Sequence, residues 1–143
     1  MKQEAFNHQF VEFIPEELED GTLYVSMRFA TVAHLCACGC RTKVVTPLKP
    51  TDWKLTFDGK TITLYPSIGN WSFPCKSHYW IMGDQVRWAG AMSPDMIAAV
   101  KARDRFDAVE FGKLRGGRAR AIARRMLGLW NKTTRLIKTW WRG

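Results

Sequence analysis

No stretch of this chain approaches the roughly 20 consecutive apolar residues of a membrane-spanning helix. Its opening residues, MKQEAFNHQFVEF, lack the unbroken apolar run of a secretory signal. Both absences predict a cytoplasmic protein without a membrane span. Histidine is scarce: His8, His34 and His78 are the whole supply. Cysteine is confined to two short motifs, Cys36-Ala37-Cys38-Gly39-Cys40 and Cys75 within Pro74-Cys75-Lys76-Ser77-His78. In a reducing compartment such thiols stay unpaired, so their grouping favours a metal over disulfides. Acidic residues are missing from residues 113–143, which carry ten Lys or Arg. The other twelve basic residues face all thirteen acidic ones in residues 1–112, so the body is near −1 and the tail is +10. Internal repeats and low-complexity segments are absent too.

What is present suits one packed domain. The 143 residues are 46% hydrophobic, with seven Trp and eight Phe to fill a core. Residues 9–15 and 22–30 read as strands, the second because Leu23, Val25, Met27 and Phe29 alternate with Tyr24, Ser26 and Arg28. RTKVVTPL predicts a strand ending at Pro47. WKLTF and KTITLY flank Asp58-Gly59, the pair a type I′ hairpin turn prefers, and HYWIM and QVRWA flank Gly83-Asp84. PSIGNWSFPC between the hairpins is rich in turn formers. Ser93-Pro94-Asp95 is a helix start, with an N-cap hydroxyl, Pro at the first helical position and an acid in the first turn. That helix is expected to reach Phe111 and to break at Gly112 and Gly116-Gly117. A second helix from Arg118 would align Ile122, Met126, Leu129, Thr133, Ile137 and Trp140. The expected fold is α+β: a small, mostly antiparallel β zinc-binding domain over residues 1–91, a helix over 92–112 packed on it, and a basic helical tail over 113–143.

Zinc takes four N or S ligands in a tetrahedron. Alternate residues on a strand share a face but lie roughly 6–7 Å apart, so the chain must curl to bring Cys36, Cys38 and Cys40 to one ion. Gly39 permits that curl. Cys75 would close the site from about 35 residues on, tying two parts of a small sheet together. The preferred ligands are Cys36, Cys38, Cys40 and Cys75, with His78 or His34 as substitutes for one. A redox thiol pair and unligated core thiols are the alternatives.

Several strings resemble one bacterial family: His34-Leu35-Cys36-Ala37-Cys38-Gly39-Cys40, Thr46-Pro47-Leu48 with Pro50-Thr51-Asp52-Trp53, Leu64 through Trp71, and Pro74-Cys75 with Ser77-His78-Tyr79-Trp80-Ile81. Its members occur beside genes for ubiquitin-activating-like and ubiquitin-conjugating-like enzymes. The resemblance covers residues 34 to about 89. It implies a peptidase that trims ubiquitin-like precursors, with the ubiquitin-like protein and its conjugation enzymes as partners. It implies nothing about the tail.

The catalytic residues must come from chemistry. A nucleophile needs a base within hydrogen-bond reach and the base needs an orienting partner. Ser67 is the predicted nucleophile, placed where a strand meets an Ile68-Gly69-Asn70 turn, with His78 or His34 as base and Asp52 as orienter. Asn70, or backbone N–H groups near Gly69, would bind the oxyanion. Ser77 adjoins His78, and neighbours on a strand point to opposite faces, so it suits the role less. With four thiolates the zinc is architectural. With fewer, a zinc-bound hydroxide with His78 as ligand is the rival.

Trp130, Trp140 and Trp141 interleave with the basic residues of the tail, a composition fitting nucleic acid, an anionic membrane surface or an acidic protein partner, or simply a solvated basic face around an apolar stripe docked on the domain. Leu114-Arg115-Gly116-Gly117 reads as a linker. The leading expectation is a zinc-stabilised peptidase. The alternatives are a non-enzymatic zinc module that binds a polyanion through residues 113–143, and an adaptor that only holds a ubiquitin-like protein.

Overall fold

The computed structural model describes residues 1–140, and the side chains of residues 1–119 and Ile122. The chain forms two compact units, Met1–Lys101 and Ala102–Gly143. The first contains two four-stranded sheets. One runs β1 (Asn7–Phe10), β2 (Thr22–Ser26), β3 (Thr31–Leu35) and β4 (Lys43–Pro47), neighbours in that order. The other runs β5 (Lys54–Phe57), β6 (Ile62–Gly69), β7 (His78–Met82) and β8 (Gln85–Trp88). Only β1 pairs parallel, with β2; the rest is antiparallel. A helix, α1 (Pro94–Trp140), follows. The α+β fold read from the sequence, mostly antiparallel strands and then helix, is the fold observed.

Side chains from both sheets meet in one core. Leu23, Val25, Val32 and Val44 come from the first sheet, and Ile62, Leu64, Tyr79 and Ile81 from the second. The alternation that predicted β2 holds for its inward face, but all five of its residues are buried. The loop after β1 lays Val11, Ile14 and Leu18 over Tyr24, Ala33 and Leu35, covering the outer face as well. The N-terminal segment ties the sheets together. Ala5 bridges to Gln85, and Asp84 accepts from His8 Nδ1 at 2.9 Å and from the Ile62 N–H at 2.9 Å.

Four expectations need correction. The strand predicted over 22–30 stops at Ser26. Residues 27–30 turn, with Ala30 at φ 47°, Met27 and Phe29 exposed, and β3 returning immediately. The strand expected over 9–15 is instead Asn7–Phe10. The Asp58-Gly59 turn is not type I′, because only Gly59 has positive φ; the Asp58 carboxylate accepts from the Lys60 and Thr61 N–H groups and caps the loop itself. Gly83 and Asp84, both at positive φ, make the two-residue turn of the second hairpin. Finally, α1 runs through Gly112 and Gly116-Gly117. Each costs roughly 1 kcal/mol against Ala, which a long helix tolerates. Ser93 caps it as expected, accepting from the Met96 N–H at 3.3 Å. Apart from Ile122, the stripe expected beyond Arg118 lies outside the described side chains. No described helix is long and apolar enough to cross a membrane.

Candidate active site and cysteine cluster

The Cys-rich run leaves β3 and curls as a short loop before β4. Gly39 at φ 87° and Arg41 at φ 59° supply the turn, and the Gly39 N–H donates to the Cys36 carbonyl at 3.0 Å. A Cβ on Gly39 would lie 2.6 Å from the Met1 carbonyl oxygen, so only glycine fits under the N-terminal segment. The curl aims the sulfurs of Cys36, Cys38 and Cys40 at one point, and Cys75 joins them from the loop before β7. All four Sγ atoms lie within 4.8 Å of one another, at 3.4 Å for Cys36–Cys38, 3.8 Å for Cys40–Cys75 and 4.0 Å for Cys36–Cys75. Tetrahedral Zn–S bonds place sulfurs about 3.8 Å apart, so the four thiols fit a metal ion as they stand. Cys36 is buried and Cys40 and Cys75 are exposed, so the cluster spans from core to surface. Burial pushes the Cys38 thiol up to about 12 and raises Cys36, while hydrogen bonds from Thr42 hold Cys40 down at about 6.

A ring of polar groups surrounds the sulfurs. Ser77 Oγ lies 3.0 Å from Cys36 Sγ and 3.6 Å from Cys75 Sγ. The Asn70 amide donates to Ser77 Oγ at 2.9 Å and to Cys36 Sγ at 3.5 Å. Thr42 Oγ1 lies 3.3 Å from Cys40 Sγ. Such contacts orient thiolates and spread their charge.

On the opposite face of the second sheet a different pair forms. Ile68 and Tyr79 point into the core, so their neighbours Ser67 on β6 and His78 on β7 point out of it. Ser67 Oγ and His78 Nε2 are 2.9 Å apart. Ser67 lies within β6, not at a turn after it. A bulge between Leu64 and Ile68 sets two extra residues against Trp80 and carries Ser67 toward His78. β5 begins opposite Tyr65, at Lys54, so β5 does not pair with the part of β6 that follows Tyr65. Two indoles frame the imidazole, Trp71 at 4.9 Å and Trp80 at 5.5 Å between ring centroids. Gly69 makes this possible, since a Cβ there would lie 2.4 Å from the Trp71 indole. With the serine hydroxyl donating to Nε2, the ring proton sits on Nδ1, which is buried and has no hydrogen-bond partner.

The remaining sequence candidates lie elsewhere. His34 faces the core from β3, fully buried, with Nε2 2.8 Å from the Tyr79 hydroxyl; burial depresses its pKa to about 3, so it is neutral. It neither meets Ser67 nor joins the sulfurs. Asp52 sits in the turn before β5, its N–H bonded to the Lys49 carbonyl, and its carboxylate makes no described bond to a histidine. The Asn70 amide donates to Cys36 Sγ and Ser77 Oγ, on the side of the sulfurs. Beside it, Thr46, Trp53, Ile68 and Gly69 line a cavity of about 220 Å³ between β4 and the end of β6. Sequence reasoning missed Ser77 as a partner of the cysteines, because the two are brought together by a turn in which Lys76 has φ 44°, which no strand alternation signals. It also missed Trp71 and Trp80, which read as core pieces.

A family model described as "Bacterial ubiquitination-like system serine protease (BubE)" matches residues 10–89. These residues hold all four cysteines, Ser67, His78 and both indoles. No curated protein and no solved structure matches the chain.

Proposed function

Because the chain belongs to the bacterial ubiquitination-like system serine protease family, we propose that Ser67 is its nucleophile and His78 the general base. The observation that carries this reading is the 2.9 Å contact between Ser67 Oγ and His78 Nε2 on an outward sheet face. A serine hydroxyl is a poor nucleophile at neutral pH, and a base at this distance takes its proton as the oxygen attacks a carbonyl carbon. His78 then returns that proton to the leaving amine, and a water activated by the same ring hydrolyses the acyl-enzyme.

The site is a dyad among the described residues. In triads a carboxylate steadies the imidazolium through Nδ1. Here the ring is held between Trp71 and Trp80, both within the roughly 6 Å over which an aromatic face attracts a cation. The indoles thus take over orientation and part of the charge stabilisation. Backbone N–H groups along the part of β6 that β5 does not pair suit the oxyanion, since the Asn70 amide is engaged elsewhere. That stretch also suits an extended peptide lying along it by main-chain pairing.

The substrate class we propose is the precursor of a ubiquitin-like protein, trimmed before conjugation. The cysteine cluster is read as a structural zinc site. Four thiols complete the tetrahedron and leave no open position, while His78 Nε2 is bonded to Ser67 and stands apart from the sulfurs. Zinc there would contribute fold energy, and the proton transfers belong to Ser67 and His78. Wild-type protein should cleave a ubiquitin-like precursor encoded beside it. Ser67→Ala and His78→Ala should each lower the rate by at least about 10³-fold while keeping one zinc per chain. Cleavage by Ser67→Ala at the wild-type rate would exclude the dyad, and loss of zinc from His78→Ala would restore the metal-hydroxide mechanism.

A further inference from the structure

The cysteine cluster and the catalytic pair lie on different faces of the second sheet but share two short pieces of chain. Cys75 and Ser77 lie in the loop that leads into His78, the first residue of β7. Ser67 and Gly69 occupy the end of β6, and Asn70 follows it. Gly69 pairs with His78 in the ladder, and the next residues out, Asn70 and Ser77, are joined twice: the Asn70 N–H donates to the Ser77 carbonyl at 2.9 Å, and the Asn70 amide to Ser77 Oγ at 2.9 Å. Both side chains are buried, at 7% and 6% exposure. Both then reach the sulfur of Cys36, Ser77 at 3.0 Å and Asn70 at 3.5 Å. Cys36 follows β3 in the other sheet, so this buried knot fastens the last rung before the dyad to the opposite half of the domain.

Resting on the reading of Ser67 and His78 as the catalytic pair, we propose that Ser77 and Asn70 are positioning residues: they transmit the occupancy of the cysteine cluster to the distance between His78 and Ser67. Their chemistry favours a filled cluster. Ser77 Oγ accepts from the Asn70 side-chain amide, so its own proton is free for Cys36, and a metal-bound thiolate is a stronger acceptor than a thiol. A bound cation would also hold Cys75 beside Cys36 and Cys40, which would fix the chain two residues before Ser77 and three before His78. When the knot loosens, no described hydrogen bond holds the imidazole except that to Ser67, because Nδ1 has no partner. An enzyme that uses no metal in its chemistry would then still depend on metal for its rate.

The test compares Ser77→Ala with wild type, using zinc-loaded, full-length protein. A fluorophosphonate probe that reacts with activated serines reads the geometry of the pair directly, and kcat and KM for precursor cleavage are read separately. Ser77→Ala should retain one zinc per chain and a KM within about twofold, while labelling rate and kcat both fall about tenfold or more, as an ångström-scale misplacement does. Should Ser77→Ala fail to fold, Asn70→Ala carries the test, since it leaves the Ser77–Cys36 contact in place; it should show the same pattern with a smaller fall. Labelling at the wild-type rate in either zinc-loaded variant overturns the proposal. If wild-type protein is not labelled at Ser67 at all, the catalytic reading fails instead, and the two failures are distinct.

Discussion

His34 is fully buried between the sheets, and its ring is bonded at Nε2 to Tyr79 while Nδ1 has no partner. The sequence places it beside the Cys motif, where it reads as base or ligand. Its inward direction follows from the alternation Val32, His34, Cys36 on one face of β3, which becomes clear only once the core side of that strand is known. Burial lowers its pKa from 6.5 to about 3. Below pH 6.5 the unfolded chain therefore takes up a proton that the folded chain refuses until about pH 3. Stability from this group is fully present above pH 6.5 and is lost as pH falls through that window, by up to roughly 1.4 kcal/mol per pH unit. Urea unfolding at pH 7 and pH 5 should show wild type losing about 1–2 kcal/mol more than His34→Gln, which cannot titrate. Parallel losses would mean that the buried ring is not what couples folding to protons.

At the scale of elements, the two hairpins of the second sheet were legible because their turns carry Gly and Asp between β-rich runs, though the type I′ geometry belongs to Gly83-Asp84 rather than Asp58-Gly59. The hairpin between β2 and β3 was not, because its turn contains no Gly, Pro or Asn and the alternation runs on through Phe29. The curl of the cysteine loop was legible from Gly39. The extent of β6 was hidden by Pro66, which reads as a breaker but follows Tyr65, the last residue paired with β5, so its missing N–H costs no pairing with that strand. Gly69 near the end of β6 is the element on which the site turns. Gly69→Ala would drive a methyl into the Trp71 indole, which lies 2.4 Å from the added Cβ. Overpacking of this kind costs about 1–3 kcal/mol. We expect a matching fall in thermal stability and a drop of at least about tenfold in precursor cleavage, since Trp71 must swing off His78. A variant with wild-type activity would show that the indole does not hold the ring.

At the scale of the whole molecule, charge divides the chain after residue 112, and contacts divide it after Lys101. Twelve basic residues against thirteen acidic ones leave residues 1–112 near −1, while residues 113–143 carry +10. The family match ends at residue 89, and the proposed catalytic pair and the cysteine cluster both lie in the first unit, Met1–Lys101. The tail's function was not legible, because a basic composition suits several polyanions equally well. We propose that it is an accessory polyanion-binding segment. Deleting residues 113–143 should leave a folded, zinc-loaded body that still cleaves precursor. Binding of the intact protein to duplex DNA should weaken steeply between about 50 and 200 mM salt and vanish in the truncated form; salt-insensitive binding would assign the tail to another partner. Wild-type protein labelled with a fluorophosphonate and mapped by mass spectrometry should carry a single adduct on Ser67, lost in His78→Ala. An adduct on another residue, or none on a protein that cleaves its precursor, would contradict the account.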